Sequence, residues 1–209
     1  MSSETLPGRP VDEAKTAAML GAARVHFFTH GYDGTRLDSV AVDAGVSKVT
    51  IYNRFGDKAG LLAACVSAEC ERMQAEIGLH REDGRSLTER LNAFGITLIT
   101  FILSPDHIGF DRMISMEGVR SPELAQLFFE AGPRRMQAAL VAVLNEAAQN
   151  GQIEAPDVSE AAEHLVGLWK GMADMHLRFA QPYDRDPEHI TARVIRSTAR
   201  FLRAYAPGP

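Results

Sequence analysis

The sequence predicts an all-α protein: an N-terminal three-helix helix-turn-helix domain followed by a larger C-terminal helical bundle, about nine helices in all. Three observations predict it. Apolar residues recur at helical spacing throughout, and no alternating apolar and polar run bounded by hairpin residues occurs. Helix caps and prolines punctuate the periodic stretches. The hydrophobic fraction is 45%, enough for a proper core and too much for wholesale disorder.

The elements follow in order. Residues 1–10 read as a disordered arm. A first helix runs from Val11 to His30, with Leu20, Ala23 and Phe27 as its core stripe and Gly31 closing it. Thr35-Arg36-Leu37-Asp38 fits a helix start with Thr35 as cap and Asp38 reaching back, and this second helix ends by Gly45. Ser47 caps a short third helix that ends near Phe55. A fourth runs from about Asp57 to Ile77, with Gly60 inside it costing about 1 kcal/mol against Ala and loosening that joint. After the polar break HREDGRS (80–86), longer helices are expected at Ser86 to Leu103, His107 to Val119, Pro122 to Asn150, Ser159 to Ala180 and Pro187 to Ala204. Gly132-Pro133 should kink or divide the third of these. The domain reading is 11–56 for the helix-turn-helix and 57–209 for a ligand-binding and dimerisation domain.

Charge and cysteine usage narrow the function. The net charge of −5 looks wrong for a nucleic-acid binder until it is divided. Residues 1–60 hold seven basic and seven acidic side chains, so the whole excess lies beyond them. Lys48, Arg54 and Lys58 sit close together with only Asp57 among them, which permits a local anion-binding face. The longest apolar run, Phe94 to Leu103, is too short to span a bilayer, and no export signal opens the chain. Cys65 and Cys70, five apart on a helix, point to different faces. A cytoplasmic protein with free thiols and no membrane partner is expected.

The third helix is thin on core. At about 100° per residue, Ile51 and Phe55 lie within about 40° of each other and face inward, while Val49 and Asn53 fall on the opposite side. Thr50 and Tyr52 flank them. Ahead of it, Ala41, Gly45 and Ile51 have the spacing of two short helices joined by a tight turn, with Val40, Ala44 and Val46 on the buried side. A helix with one narrow core stripe suits insertion into a DNA major groove. Asn pairs bidentately with adenine, Val packs on a thymine methyl, and Tyr, Thr and Lys hold phosphates.

From Met19 to Leu62 the chain resembles the DNA-binding domain of TetR-family regulators. The matching stretches are AARVHFFTHGYDGT and LDSVAVDAGVSKVTIYNRFGDKAGLL. The resemblance implies that Thr35 and Arg36 meet DNA from the start of the second helix. It implies the same for Ser47, Lys48, Val49, Thr50, Tyr52 and Asn53 from the third, and a phosphate contact for Lys58. Val49 stands where many members have Gly, and Arg54 where an aromatic is common, so the operator is not borrowed from relatives. RSPELAQLFFEAGPRRMQAAL (120–140) is similar to the C-terminal domain of the AefR-like subgroup.

Half-site readers act as dimers, because one short helix touches too few bases. Gly167 and Gly171, one turn apart, let another helix approach, and Ile190, Val194, Phe201 and Leu202 give the last helix an apolar side; both also suit the subunit's own core. The resemblance further implies a small-molecule pocket in the bundle. Its expected lining is Phe94, Leu98, Phe101, Met113, Met116, Phe128, Trp169, Met172 and His176, with Asp174 adding polarity.

His26 and His30 have the i, i+4 spacing of metal ligands but lack a third, so no metal or cofactor is expected. No Glu-x-x-His pair, phosphate loop or nucleophile elbow appears, which argues against an enzyme. A helical adaptor, or a redox sensor using Cys65 or Cys70, stands as the alternative; DNA affinity falling steeply with salt separates a regulator from an adaptor. The expectation is a homodimeric regulator of a double-stranded DNA operator, most simply a repressor, released by an unknown small-molecule effector.

Overall fold

The computed structural model describes residues 13–78 and 84–208, so the expected arm, the start of the first helix at Val11 and most of the polar break lie outside the described residues. Helices account for all regular structure among them: α1 Glu13–Gly34, α2 Leu37–Asp43, α3 Lys48–Phe55, α4 Lys58–Ile77, α5 Leu87–Ile102, α6 Pro105–Arg120, α7 Pro122–Ala131, α8 Pro133–Gln149, α9 Val158–Lys170, α10 Ala173–Arg178 and α11 Pro187–Ala204. Eleven stand where about nine were expected, because two long stretches are each divided. Pro133 starts α8 after the Gly132 cap, and Gly171, at φ +52, ends α9. The chain forms two compact units, residues 1–65 and 66–209, with α4 crossing the division.

In the first unit α1 buries Met19, Ala23 and Phe27, so Met19 takes the place expected for Leu20. Gly31 (φ 71, ψ −177) breaks regular helix where expected, and one further turn carries the chain to Gly34. Thr35 does not cap α2. Arg36 holds that position with extended backbone and no side-chain bond, while the Thr35 hydroxyl donates back to Gly31 O at 2.6 Å. The α2–α3 turn closes through Ala44 N–H to Val40 O at 2.9 Å and Val46 N–H to Ala41 O at 3.0 Å. Gly45 adopts φ +65 in that turn, a region open to glycine at little cost.

In the second unit α5, α9 and α11 share one core. Trp169 is fully buried, and its indole N–H donates to Thr198 Oγ1 at 3.0 Å, which satisfies two polar groups that burial would otherwise strand. Gly95 of α5 lets the layers close: a Cβ there would stand 2.7 Å from both Trp169 Cε2 and Val194 Cγ1. Serine caps start α5, α6 and α7, and at α5 Ser86 and Glu89 form the full reciprocal box. No single helix among the described residues is long and apolar enough to cross a membrane.

Candidate nucleic-acid interface and bundle sites

Helix α3 is held by very little. Ile51 is its one buried residue, at 0% exposure, and Phe55 is half-buried. Ser47 accepts the Thr50 N–H at 3.1 Å and pairs with the Thr50 hydroxyl at 2.8 Å, fixing the first turn. On the far side Val49 is 64% exposed and Tyr52 44%, and Asn53 and Arg54 are exposed too. A two-thirds-exposed Val beside an exposed Tyr is an apolar-and-polar face that nothing among the described residues covers. Lys48, also exposed, pairs with Asp38 of α2 at 3.0 Å, a surface contact that a phosphate can displace. Arg36 extends from the α2 cap into solvent. Arg36, Lys48, Val49, Tyr52, Asn53 and Arg54 are thus all exposed, which is what a helix offered to another molecule requires.

Two expected DNA contacts are placed elsewhere. Thr35 is 3% exposed and its hydroxyl is committed to Gly31. The Lys58 ammonium donates to three carbonyls near the end of α1: Tyr32 O at 2.7 Å, and Asp33 O and Thr35 O at 3.4 Å each. It also lies 4.3 Å from the Tyr32 ring centroid. Its three donors are therefore occupied, and the residue pins α4 to the negative end of α1. Gly60 likewise tightens this joint rather than loosening it. A Cβ there would strike Phe55 O, and the Gly60 N–H is instead held by Asp57 Oδ1 at 2.7 Å.

The expected ligand lining divides. Phe94 and Trp169 are fully buried and stack on each other at 6.2 Å, as packed core. Leu98 and Phe101 pack against that core. Phe101 lies 4.5 Å from the His107 ring, and Phe128 5.7 Å from Phe110, with half-buried Met113 also on α6. Met116 (69% exposed), Met172 (62%) and His176 face solvent, so they line no interior here. For Met172 and His176 the cause is the break at Gly171, which rephases the chain after α9. Asp174 pairs with Lys170 at 3.2 Å. His107, which sequence reasoning missed, is the polar ring against Phe101; burial holds its imidazole below the usual range, against an opposite pull from Asp111.

The expected dimer residues also need revision. Ile190, Val194 and Phe201 are at most 4% exposed within this subunit, so the stripe assigned to a partner belongs to its own core, with Leu202 packed beside it. Gly171 does not offer a flat helix surface: it ends α9, and a Cβ there would strike the Arg193 guanidinium. Gly167 is exposed, with open space above its α-carbon.

The cysteines are poorly placed to sense oxidants. Burial pushes the Cys65 thiol up to about 12 and raises that of Cys70, and each sulfur faces a carbonyl, Leu20 O at 3.6 Å and Gly132 O at 3.8 Å. Among the described residues no group of three or more His, Cys, Asp or Glu converges as metal ligands, and His26 instead bonds Asp43 at 2.7 Å.

Comparison with known proteins agrees with this geometry. Residues 19–65 match the model for bacterial regulatory proteins of the tetR family, and residues 89–207 that for the AefR-like transcriptional repressor C-terminal domain. The transcriptional activator FasR of Mycolicibacterium smegmatis is 25% identical over 177 residues, covering 85% of this chain and 78% of its own. Among solved structures, a protein of Mesorhizobium loti described as a TetR-family transcriptional regulator aligns with TM-score 0.77 and 25% identity, covering 95% of this chain and all of its own. The flavonoid-responsive regulator FrrA aligns with TM-score 0.73 and 29% identity, over 94% of this chain and all of its own.

Proposed function

The chain belongs to the TetR family of bacterial regulatory proteins, which are DNA-binding regulators rather than enzymes, and from that premise we propose that it is a cytoplasmic, homodimeric repressor released from its operator by a small apolar effector. The observation that carries the DNA-binding half is the bare outer side of α3, where Val49, Tyr52 and Asn53 are exposed around a single buried anchor. Asn53 reads a base edge, Val49 packs on a thymine methyl, and Tyr52, Thr50, Lys48 and Arg36 hold the backbone. Two copies are required for the two half-sites, one helical turn apart.

The sign and the effector are read from the second unit. The C-terminal match to AefR-like repressors favours repression, although FasR is named an activator. An aromatic or otherwise apolar effector suits the set formed by Phe101, Phe110, Phe128, Leu98 and Met113, and FrrA is itself named for its response to flavonoids. A neutral His107 beside Phe101 supplies one hydrogen bond without a charge. The effector acts by binding the DNA-incompetent dimer more tightly than the competent one.

Footprinting on the DNA flanking the protein's own gene, with and without flavonoids and other apolar compounds, tests the reading. Tyr52→Ala should weaken binding to every sequence alike. Asn53→Ala should relax preference at one position by about 1–3 kcal/mol. Equal, sequence-independent losses from both would overturn the assignment of α3 as the reading element.

A further inference from the structure

Helix α3 buries Ile51 alone, and a rod held at one point can still pivot about it. The constraints that stop the pivot must act at its two ends. At the start, the Ser47 cap and the left-handed Gly45 tie α3 to α2. At the end, Gly56 (φ +81) turns the chain and the Asp57 N–H donates to Phe55 O at 3.0 Å. Gly60 completes that corner: with no side chain there, the first turn of α4 sits directly against Phe55 O. Where α4 begins therefore decides where α3 ends.

Lys58 stands in that first turn and reaches back past the whole helix-turn-helix. Its Nζ donates to Tyr32 O, Asp33 O and Thr35 O, on the stretch that ends α1 and leads into α2. The bond to Tyr32 spans 26 positions, so the segment holding α2 and α3 is a loop whose two ends one ammonium stitches together. The near end of this seam is itself fixed. The Tyr32 ring lies against the ammonium and stacks at 6.2 Å on Phe27, which is buried in the first unit. Carbonyls at a helix C-terminus carry partial negative charge, which suits a cation. Lys58 is half-buried with its donors committed, whereas Lys48 of α3 is exposed and holds only a surface acid.

We propose that Lys58 is a positioning residue for sequence reading: it touches no phosphate, and it fixes the angle at which α3 is presented to DNA. The proposal rests on the DNA-binding reading above and replaces the phosphate contact that the resemblance implies for this lysine. Hydrogen bonds to base edges require a set geometry, whereas attraction to the phosphate backbone does not. A loosened seam therefore removes preference for one sequence and leaves general attraction to duplex intact. Loss of a phosphate contact does the reverse: it weakens binding to every sequence and lowers the salt dependence.

The test uses the full-length chain and a duplex that the natural protein itself selects from a randomised pool, with a scrambled duplex of equal length beside it. Lys58→Met keeps the apolar stem and removes the ammonium. Its affinity for the selected duplex should fall about tenfold or more, while affinity for the scrambled one stays within about twofold. The slope of log affinity against log salt, between about 0.05 and 0.2 M, should match that of the natural chain. Both affinities falling together, with a slope smaller by about 1, would identify a phosphate contact and overturn the proposal. Two unchanged affinities, measured well below the melting temperature of the first unit, would leave Lys58 a stabilising residue only and overturn it too. A second measurement needs no variant, and so stands even if Lys58→Met does not fold. The NMR signal of the Lys58 ammonium, slowed in exchange by its three carbonyls, should keep its shift and protection when the selected duplex is added. A signal that moves or loses protection would mean that the seam opens on DNA, which sinks the positioning role. A natural chain that selects no sequence would overturn the DNA-binding reading as well, whereas the other adverse outcomes leave that reading standing.

Discussion

Helices α3 and α11 both turn a polar side to solvent, and they reach that state by opposite routes. Helix α11 has eighteen residues and buries Ile190, Val194, Ser197, Thr198 and Phe201, a stripe long enough to hold it whatever its outer face carries. Helix α3 has eight residues and buries Ile51 alone. So short a helix is marginal by itself in water, so its order is borrowed from the Ser47 cap, the Gly45 turn and the pocket that receives Ile51. The difference teaches where an outer face is free. On α11 it is free because the inner face is redundant; on α3 it is free because nearly everything has been stripped from the inner face.

The most direct way to break this comparison is Ile51→Ala. With one anchor, truncation should cost about 2–5 kcal/mol in the first unit and abolish DNA binding, while the second unit keeps its own melting transition. Calorimetry that found the first transition unmoved would mean that α3 is held by something other than Ile51. Next comes Gly95→Ala, which tests the opposite claim, that α11 is seated in a tight core. The added methyl meets Trp169 and Val194 at 2.7 Å and should cost about 1–3 kcal/mol in the second unit alone. A neutral outcome would show that α5 and α11 can separate cheaply. The smallest effect is expected from Ser47→Ala, about 1 kcal/mol, because it removes one cap bond to the Thr50 N–H. Faster hydrogen exchange at that amide, with the α11 amides unchanged, would sharpen the contrast.

Much of this was legible in the residues. The all-helical fold, the Ser47 cap, the bare Val49 and Asn53 and the division at Gly132-Pro133 follow from periodicity and from turn and cap chemistry, which act over a few residues. What was misread depends on who the neighbour is. Lys58 reads as a phosphate contact, yet three carbonyls near the end of α1, more than twenty residues earlier, take its ammonium. Thr35 reads as a cap and a DNA contact, but a break at Gly31 leaves a carbonyl free to accept its hydroxyl. On α11 the apolar stripe was visible, and its destination was not; Ile190, Val194 and Phe201 fill the subunit's own core first. Gly171 has two sequence meanings, close helix approach or helix end, and only its φ of +52 decides between them.

The single anchor of α3 also bears on how such a protein diverges. Seven of that helix's eight positions are not buried, so most substitutions there leave folding nearly untouched and fall on whatever the helix recognises. Duplicated genes carrying this scaffold are then free to drift toward new target sequences one side chain at a time, without first repairing the architecture that presents them.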